Sequence, residues 1–178
     1  MRKGSAHGKL FSIDALNSRE LLPAARRLLE VRAKREGGFS VWDASSIFYQ
    51  LQKLDTESQA SARTILLLYA ADLRFRLRWE ILPALEEGQT VVAVPYVQTG
   101  IAFGLATGLP RRWLLDIFRF APKPEGSFFL NGHPRPTASP TTGFLEFCSD
   151  IVPDDFFERF AAHFETLRRR GQCKRIEL

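Results

Sequence analysis

The chain has 178 residues, of which 45% are hydrophobic and 25% charged. That balance excludes a disordered chain and gives a single domain enough apolar material for a core without metal or disulfide staples. The formal net charge of +5 permits an acidic partner or nucleic acid without requiring either. The longest apolar run, 65–71, is far short of a bilayer span, and the N-terminal MRKGSAHGK lacks the apolar centre of a secretory signal. The expected setting is the cytoplasm, with no membrane partner. Cys148 and Cys173 lie far apart, and His7, His133 and His163 have no ligand spacing, so no zinc, disulfide or other metal site is expected.

In chain order, 9–13 predicts a first strand, and a short turn follows it. Leu21, Leu22, Ala25, Leu28, Leu29 and Ala33 at helical spacing predict a helix over 18–36, closed by Gly37 and Gly38. FSVW, 39–42, reads as a second strand, and DASS, 43–46, as a helix start ahead of 47–54. A long helix is expected from about 59 to 85, apolar nearly all round at its centre, which implies burial on more than one side. TVVAVPY, 90–96, is a β-branched run of the kind found in a strand covered on both faces, with Pro95 at or beyond its end.

Helices over 99–106 and 110–120 lead to a strand at 127–131. Gly, Pro and Thr enrich 132–143, a loop, and 144–148 reads as a short strand. A helix over 154–170 and a terminal strand in KRIEL complete the chain. Strands alternating with helices specify an α/β fold: three layers, αβα, with a mainly parallel central sheet of about five strands in one domain, 1–178.

The first crossover is the natural place for a phosphate cradle in such a fold, yet no glycine occurs between Lys9 and Glu36. Asn17 followed by Glu20 has the spacing of a capping box, in which the chain's own side chains satisfy the free N–H groups of the helix start. A carboxylate there also takes the favourable dipole position and repels a polyphosphate.

The segment TILLLYAADLRFRLRWEILPALEEGQTVVAVPY, 64–96, resembles the thymidylate kinase family, in which a helix with an LLFAADR core runs through I.PALE.G into a strand ending in DRY. VQTGIAFGLATGL, APKPEGSFFL and FFERFAAHFETLRRR are similar to later family segments in the same order, and GKLFSIDAL is similar to its first strand. The resemblance implies a P-loop kinase-like fold. It also implies that the family's phosphate loop falls, without a gap, on 14–23. Its glycines then become Ala15, Ser18 and Glu20, its lysine Leu21 and its magnesium-binding hydroxyl Leu22. The degenerate loop is thus made of Asp14, Asn17, Ser18, Arg19 and Glu20. The carboxylate and arginine of DRY become Val94 and Pro95, and the arginine of ADR becomes Leu73. The reduced lid, around 132–143, holds one arginine, Arg135. Around the family's nucleoside pocket, the matching positions are Asp43, Asp72, Arg74, Tyr96, Thr99 and Phe103. The helix that the family uses to pair with itself carries Ile65, Leu68, Tyr69 and Asp72.

Phosphoryl transfer depends on positioning and charge neutralisation, and these losses fall on both. The expectation is a catalytically inactive thymidylate kinase-like protein, with no assigned catalytic residue and no cofactor, working as a homodimer or in complex with another protein. A residual nucleoside pocket stays open beside it. One alternative is an active kinase with an atypical phosphate site using Arg19, Arg74 or Arg135, which would need ATP and Mg²⁺. Another is a nucleic-acid-binding module on the arginine-rich helix 73–79, LRFRLRW, where aromatic residues interleave with arginines.

Overall fold

A computed structural model describes residues 8–15, 21–33, 37–41, 60–130 and 153–176. The turn with Asn17, Ser18, Arg19 and Glu20, Asp43 and the helix expected behind it, the 132–143 loop and the strand expected at 144–148 lie outside the described residues.

Five strands form one sheet in the order β2-β3-β1-β4-β5. They are β1 (Lys9–Ala15), β2 (Gly37–Val41), β3 (Thr90–Val94), β4 (Gly126–Leu130) and β5 (Lys174–Ile176), and every pairing is parallel. The helices are α1 (Leu21–Arg32), α2 (Ala62–Arg76), α3 (Leu82–Glu86), α4 (Val97–Ala106), α5 (Arg111–Ile117) and α6 (Phe156–Arg169). Alternation along the strands divides the core into two. Phe11, Ile13, Val92, Val94, Phe128 and Leu130 pack with Leu21, Ala24, Ala25 and Leu28 of α1. Leu10, Val91 and Ala93 face the other way, into a larger cluster with α2, α4 and α6. The expected three-layer arrangement is therefore present, and all of β3 is buried, as a strand covered on both faces must be.

Some boundaries move. β1 runs on to Ala15, and α1 is described from Leu21, which puts Pro23 in its first turn, where a missing N–H costs nothing. Gly37 and Gly38 lie inside β2 and do not close a helix. A Cβ on Gly37 would sit 2.7 Å from Leu29 Cδ1 and 2.8 Å from the Thr90 carbonyl oxygen, so glycine lets α1, β2 and β3 approach closely.

The long central helix is continuous but changes its winding. After α2 comes a π-helical turn, Leu77–Ile81, and then α3, with Pro83 at its start. Ser61 caps α2 by accepting from the Thr64 N–H (3.2 Å). Ile65, Leu66, Tyr69, Ala70, Leu73, Leu77 and Ile81 face the core, while Leu67, Phe75, Trp79 and Leu82 are exposed. The centre of the helix is apolar nearly all round, and among the described residues only one side of it is covered.

α6 is fastened by aromatic contacts. Phe160 lies between Phe156 and Phe164, with ring centroids 5.7 and 5.3 Å away. Phe156 meets Phe103 of α4 edge-on (5.7 Å), and Phe164 stacks on Phe129 of β4 (4.1 Å). Phe160 is fully buried, so Phe160→Ala is expected to lower unfolding free energy by about 3–5 kcal/mol, measured by urea denaturation.

Candidate functional site

In this strand order the chain turns one way after β1 and the other way after β3. The carboxyl ends of those two strands therefore flank the topological switch point, where open α/β sheets bind ligands. The residue that β1 brings there is Asp14, which is buried. Its Oδ1 accepts three hydrogen bonds from the first turn after β3: from the Tyr96 N–H (2.9 Å), the Thr99 N–H (2.9 Å) and Thr99 Oγ1 (2.7 Å). The free N–H groups at the start of α4 are thus capped by a carboxylate from another strand, an arrangement that also satisfies the helix dipole.

Arg76, at the end of α2, approaches the same turn from the opposite side. It is 1% exposed, and donates from Nε to Asp72 Oδ2 (2.8 Å), from Nη1 to the Ser40 carbonyl (3.3 Å) and from Nη2 to the Pro95 carbonyl (3.1 Å). The peptide group joining Pro95 to Tyr96 is therefore held at both poles, its C=O on a guanidinium and its N–H on a carboxylate. Tyr69 Oη donates to the Tyr96 carbonyl (2.6 Å), and Tyr96 Oη to the Pro122 carbonyl (2.8 Å). β2 joins the cluster through Ser40, whose Oγ donates to Glu80 in the π-helical turn (2.6 Å).

Burial pushes the Asp14 carboxyl up to about 6, against the lowering effect of Thr99, the two backbone N–H groups and Arg76. Burial raises the Tyr69 and Tyr96 hydroxyls, with the Asp14 charge adding to the effect, and pushes the Cys173 thiol up to about 12. Both tyrosine hydroxyls and the Cys173 thiol therefore keep their protons at ordinary pH. His163 of α6 exchanges a hydrogen bond with Gln98 (3.0 Å), and burial lowers it to about 4, so it is neutral at ordinary pH.

Of the positions matched to a nucleoside pocket, all but Asp43 are described. Tyr96 and Thr99 join Asp14, matched instead to the phosphate loop, in one hydrogen-bonded cluster. Phe103 is wholly buried against Phe156, and Asp72 is engaged by Arg76. Arg74 lies at the surface, 5.2 Å from the Phe120 ring centroid. On the helix matched to self-association, Ile65 and Tyr69 are buried in the chain's own core and Leu68 packs half-buried against it. Within LRFRLRW, Arg76 is internal, so among these arginines only Arg74 and Arg78 are exposed to a partner. Among the described residues no three His, Cys, Asp or Glu side chains converge as a metal site. Sequence reasoning did not identify Arg76 as a buried anchor. The available signal was Asp72 and Arg76 at helical i,i+4 spacing on an apolar face.

A five-stranded parallel sheet with this order and these covering helices defines an α/β protein of P-loop kinase-like fold. A thymidylate kinase structure from Ehrlichia chaffeensis superposes with a TM-score of 0.68 over 96% of this chain and 87% of that one, at 14% identity. Residues 27–177 match the family model described as Thymidylate kinase, and the chain belongs to that family. Among curated relatives, the "Probable thymidylate kinase" of Pyrococcus abyssi is 38% identical over 92 residues, and that of Pyrococcus horikoshii 34% over 92. Each alignment takes in 52% of this chain and only 38% of the relative.

Removing the guanidinium would leave the Ser40 and Pro95 carbonyls and Asp72 without its hydrogen bonds. Arg76→Met is expected to cost about 3–5 kcal/mol of stability in urea denaturation, whereas Arg74→Met at the surface stays within about 0.5 kcal/mol of the native chain.

Proposed function

We propose that this chain is a thymidylate kinase family protein that does not transfer phosphate and acts by association, with itself or with another protein. The observation that carries this reading is what stands at the positions matched to the family's charged groups. Where the family has the carboxylate and arginine of DRY, this chain has Val94, buried at the end of β3, and Pro95, whose carbonyl is taken by Arg76. Where it has the arginine of ADR, this chain has Leu73, with no exposed surface. Leu21, matched to the phosphate-binding lysine, is buried against β1 and β3. An apolar side chain can neither neutralise a developing phosphoryl charge nor hold Mg²⁺. Tyr96, Thr99 and Phe103 are committed to internal packing, so the proposal assigns no ligand to them.

The surface for association is the uncovered side of the central helix. Leu67, Phe75, Trp79 and Leu82 follow one another along it; Phe75 is 60% and Trp79 62% exposed, with ring centroids 6.4 Å apart. Aromatic side chains adjoining in an exposed row are the usual anchors of a protein interface. The competing reading, an active kinase, draws on the name given to the relatives.

Two measurements test the proposal. Isothermal titration with ATP·Mg²⁺ and with dTMP is expected to give no binding heat, and a coupled assay no phosphoryl transfer above background; measurable turnover by the pure chain overturns the inactive reading. Light scattering at micromolar concentration is expected to give a dimer, and Phe75→Glu with Trp79→Glu a monomer. A native chain that is monomeric, and that retains no protein when used as bait, overturns association.

A further inference from the structure

Three guanidinium groups on the exposed side of the central helix each lie over an aromatic ring. Arg63 covers Trp113 at 5.0 Å from its centroid, Arg74 covers Phe120 at 5.2 Å, and Arg78 covers Trp79 at 5.2 Å. All three arginines are exposed. Arg74 and Arg78 follow Arg63 at i+11 and i+15, which returns them to nearly the same angle on the helix, so the three form one line about 22 Å long. Phe75 and Trp79 stand one residue further on, about 100° round, so the arginine line and the apolar row used for association are neighbouring but distinct stripes. The contacts Arg63 to Trp113, Tyr69 to Phe118 and Arg74 to Phe120 run in the same order along both elements, which places α5 and the residues just after it beside the arginine line.

The charge along this seam is one-sided. α2 has a single acid, Asp72, which Arg76 engages, and Glu80 of the π-helical turn accepts from Ser40. α5 adds exposed Arg112, with Arg119 just beyond it, against one exposed carboxylate, Asp116. Among the described residues none of these five exposed arginines has a carboxylate within ion-pair distance, whereas Arg159, Arg168 and Arg169 of α6 each pair with Asp155 or Glu165. A solvated helix face normally interleaves the two signs, as α6 does. A guanidinium backed by a ring also keeps its outer plane and its N–H edge free. The edge matches a phosphate bidentately, and the plane is a surface on which an unpaired base stacks.

We propose that the seam between α2 and α5 binds single-stranded nucleic acid, with phosphates on the N–H edges of Arg63, Arg74 and Arg78 and bases stacked on their outer planes. Charge complementarity requires a polyanion, and the ring-backed planes select a strand whose bases are free. A duplex keeps its bases stacked on one another, and an acidic protein segment has none, so either leaves those planes unused. Arg76, the remaining arginine of LRFRLRW, takes no part, because it is buried on the opposite side of the helix. The inference goes beyond association through the apolar row, and it does not depend on whether the chain transfers phosphate.

Fluorescence anisotropy of a labelled single-stranded oligonucleotide of mixed sequence, titrated with the full chain, tests the site. Binding is expected, with log K falling against log salt at a slope of about −2 for three phosphate contacts. No anisotropy change at low salt overturns the proposal, and so does equally tight binding of the annealed duplex or of polyglutamate. Arg63→Gln with Arg74→Gln is expected to weaken binding on the order of tenfold and to bring the slope to about −0.7. Arg168→Gln with Arg169→Gln removes the same net charge from α6 and is expected to leave affinity within about twofold, because those positions lie away from the seam. Equal losses in the two double variants overturn the site and leave net charge alone as the cause. Arg63→Lys with Arg74→Lys keeps the charge and removes the planes; an unchanged slope with several-fold weaker binding is expected, and full retention of affinity overturns the part given to stacking. The substituted arginines are all exposed, so each variant is expected to keep the circular dichroism of the native chain.

Discussion

The carboxylate of Asp14 ties the end of the first strand to a turn more than eighty residues further along the chain. Everything at the carboxyl edge of the sheet is arranged around that tie. A strand end is a poor place to bury a charge, because solvent must be given up before any partner is gained. The turn after β3 makes burial feasible by directing two backbone N–H groups and one hydroxyl at the same oxygen. In return the start of α4 is capped without a side chain of its own; Tyr96, at its N-cap position, makes no side-chain cap bond.

Arg76 completes the constraint from the other side. It reaches through the core to β2 and to the Pro95 carbonyl, so the Pro95–Tyr96 peptide lies between fixed opposite charges. The guanidinium is compensated by Asp72 and two carbonyls, and the carboxylate by three donors. Strands β1, β2 and β3 are consequently registered at their carboxyl ends by polar contacts as well as by the sheet. At the opposite end β1 is tied by backbone hydrogen bonds to Leu85, Gln89 and Glu125, and the exposed Lys9–Glu125 ion pair contributes little.

Membership of the thymidylate kinase family and the shape of this site belong to different levels of the molecule. The fold rests on buried apolar positions in β1, β3, α2, α4 and α6, and those tolerate wide substitution as long as volume and pattern persist. That is how a TM-score of 0.68 coexists with 14% identity to a solved thymidylate kinase. Chemistry depends on a handful of charges at strand ends. In the cluster seen here those charges satisfy backbone groups of the protein itself.

The sequence by itself determined the layers. A β-branched run in β3, apolar residues in β1, helical spacing in α1 and α6, and Pro95 just past a strand end are local properties of the chain, read from a window of a few residues. The order of the family's segments added the P-loop kinase-like fold, and the strand order came with the tertiary structure. Only the tertiary structure decided the rest. Asp14 reads locally as a turn residue, and Arg76 as one more solvated arginine among several. Their burial depends on partners 82 and 36 residues away. The same holds for Gly37, whose use is the close approach of α1 and β3, and for Tyr69, which packs inward because of the phase of the helix against the sheet. Periodicity reports which side chains share a face. What covers that face, and which polar group finds a partner there, depends on contacts that exist only after the chain has closed on itself.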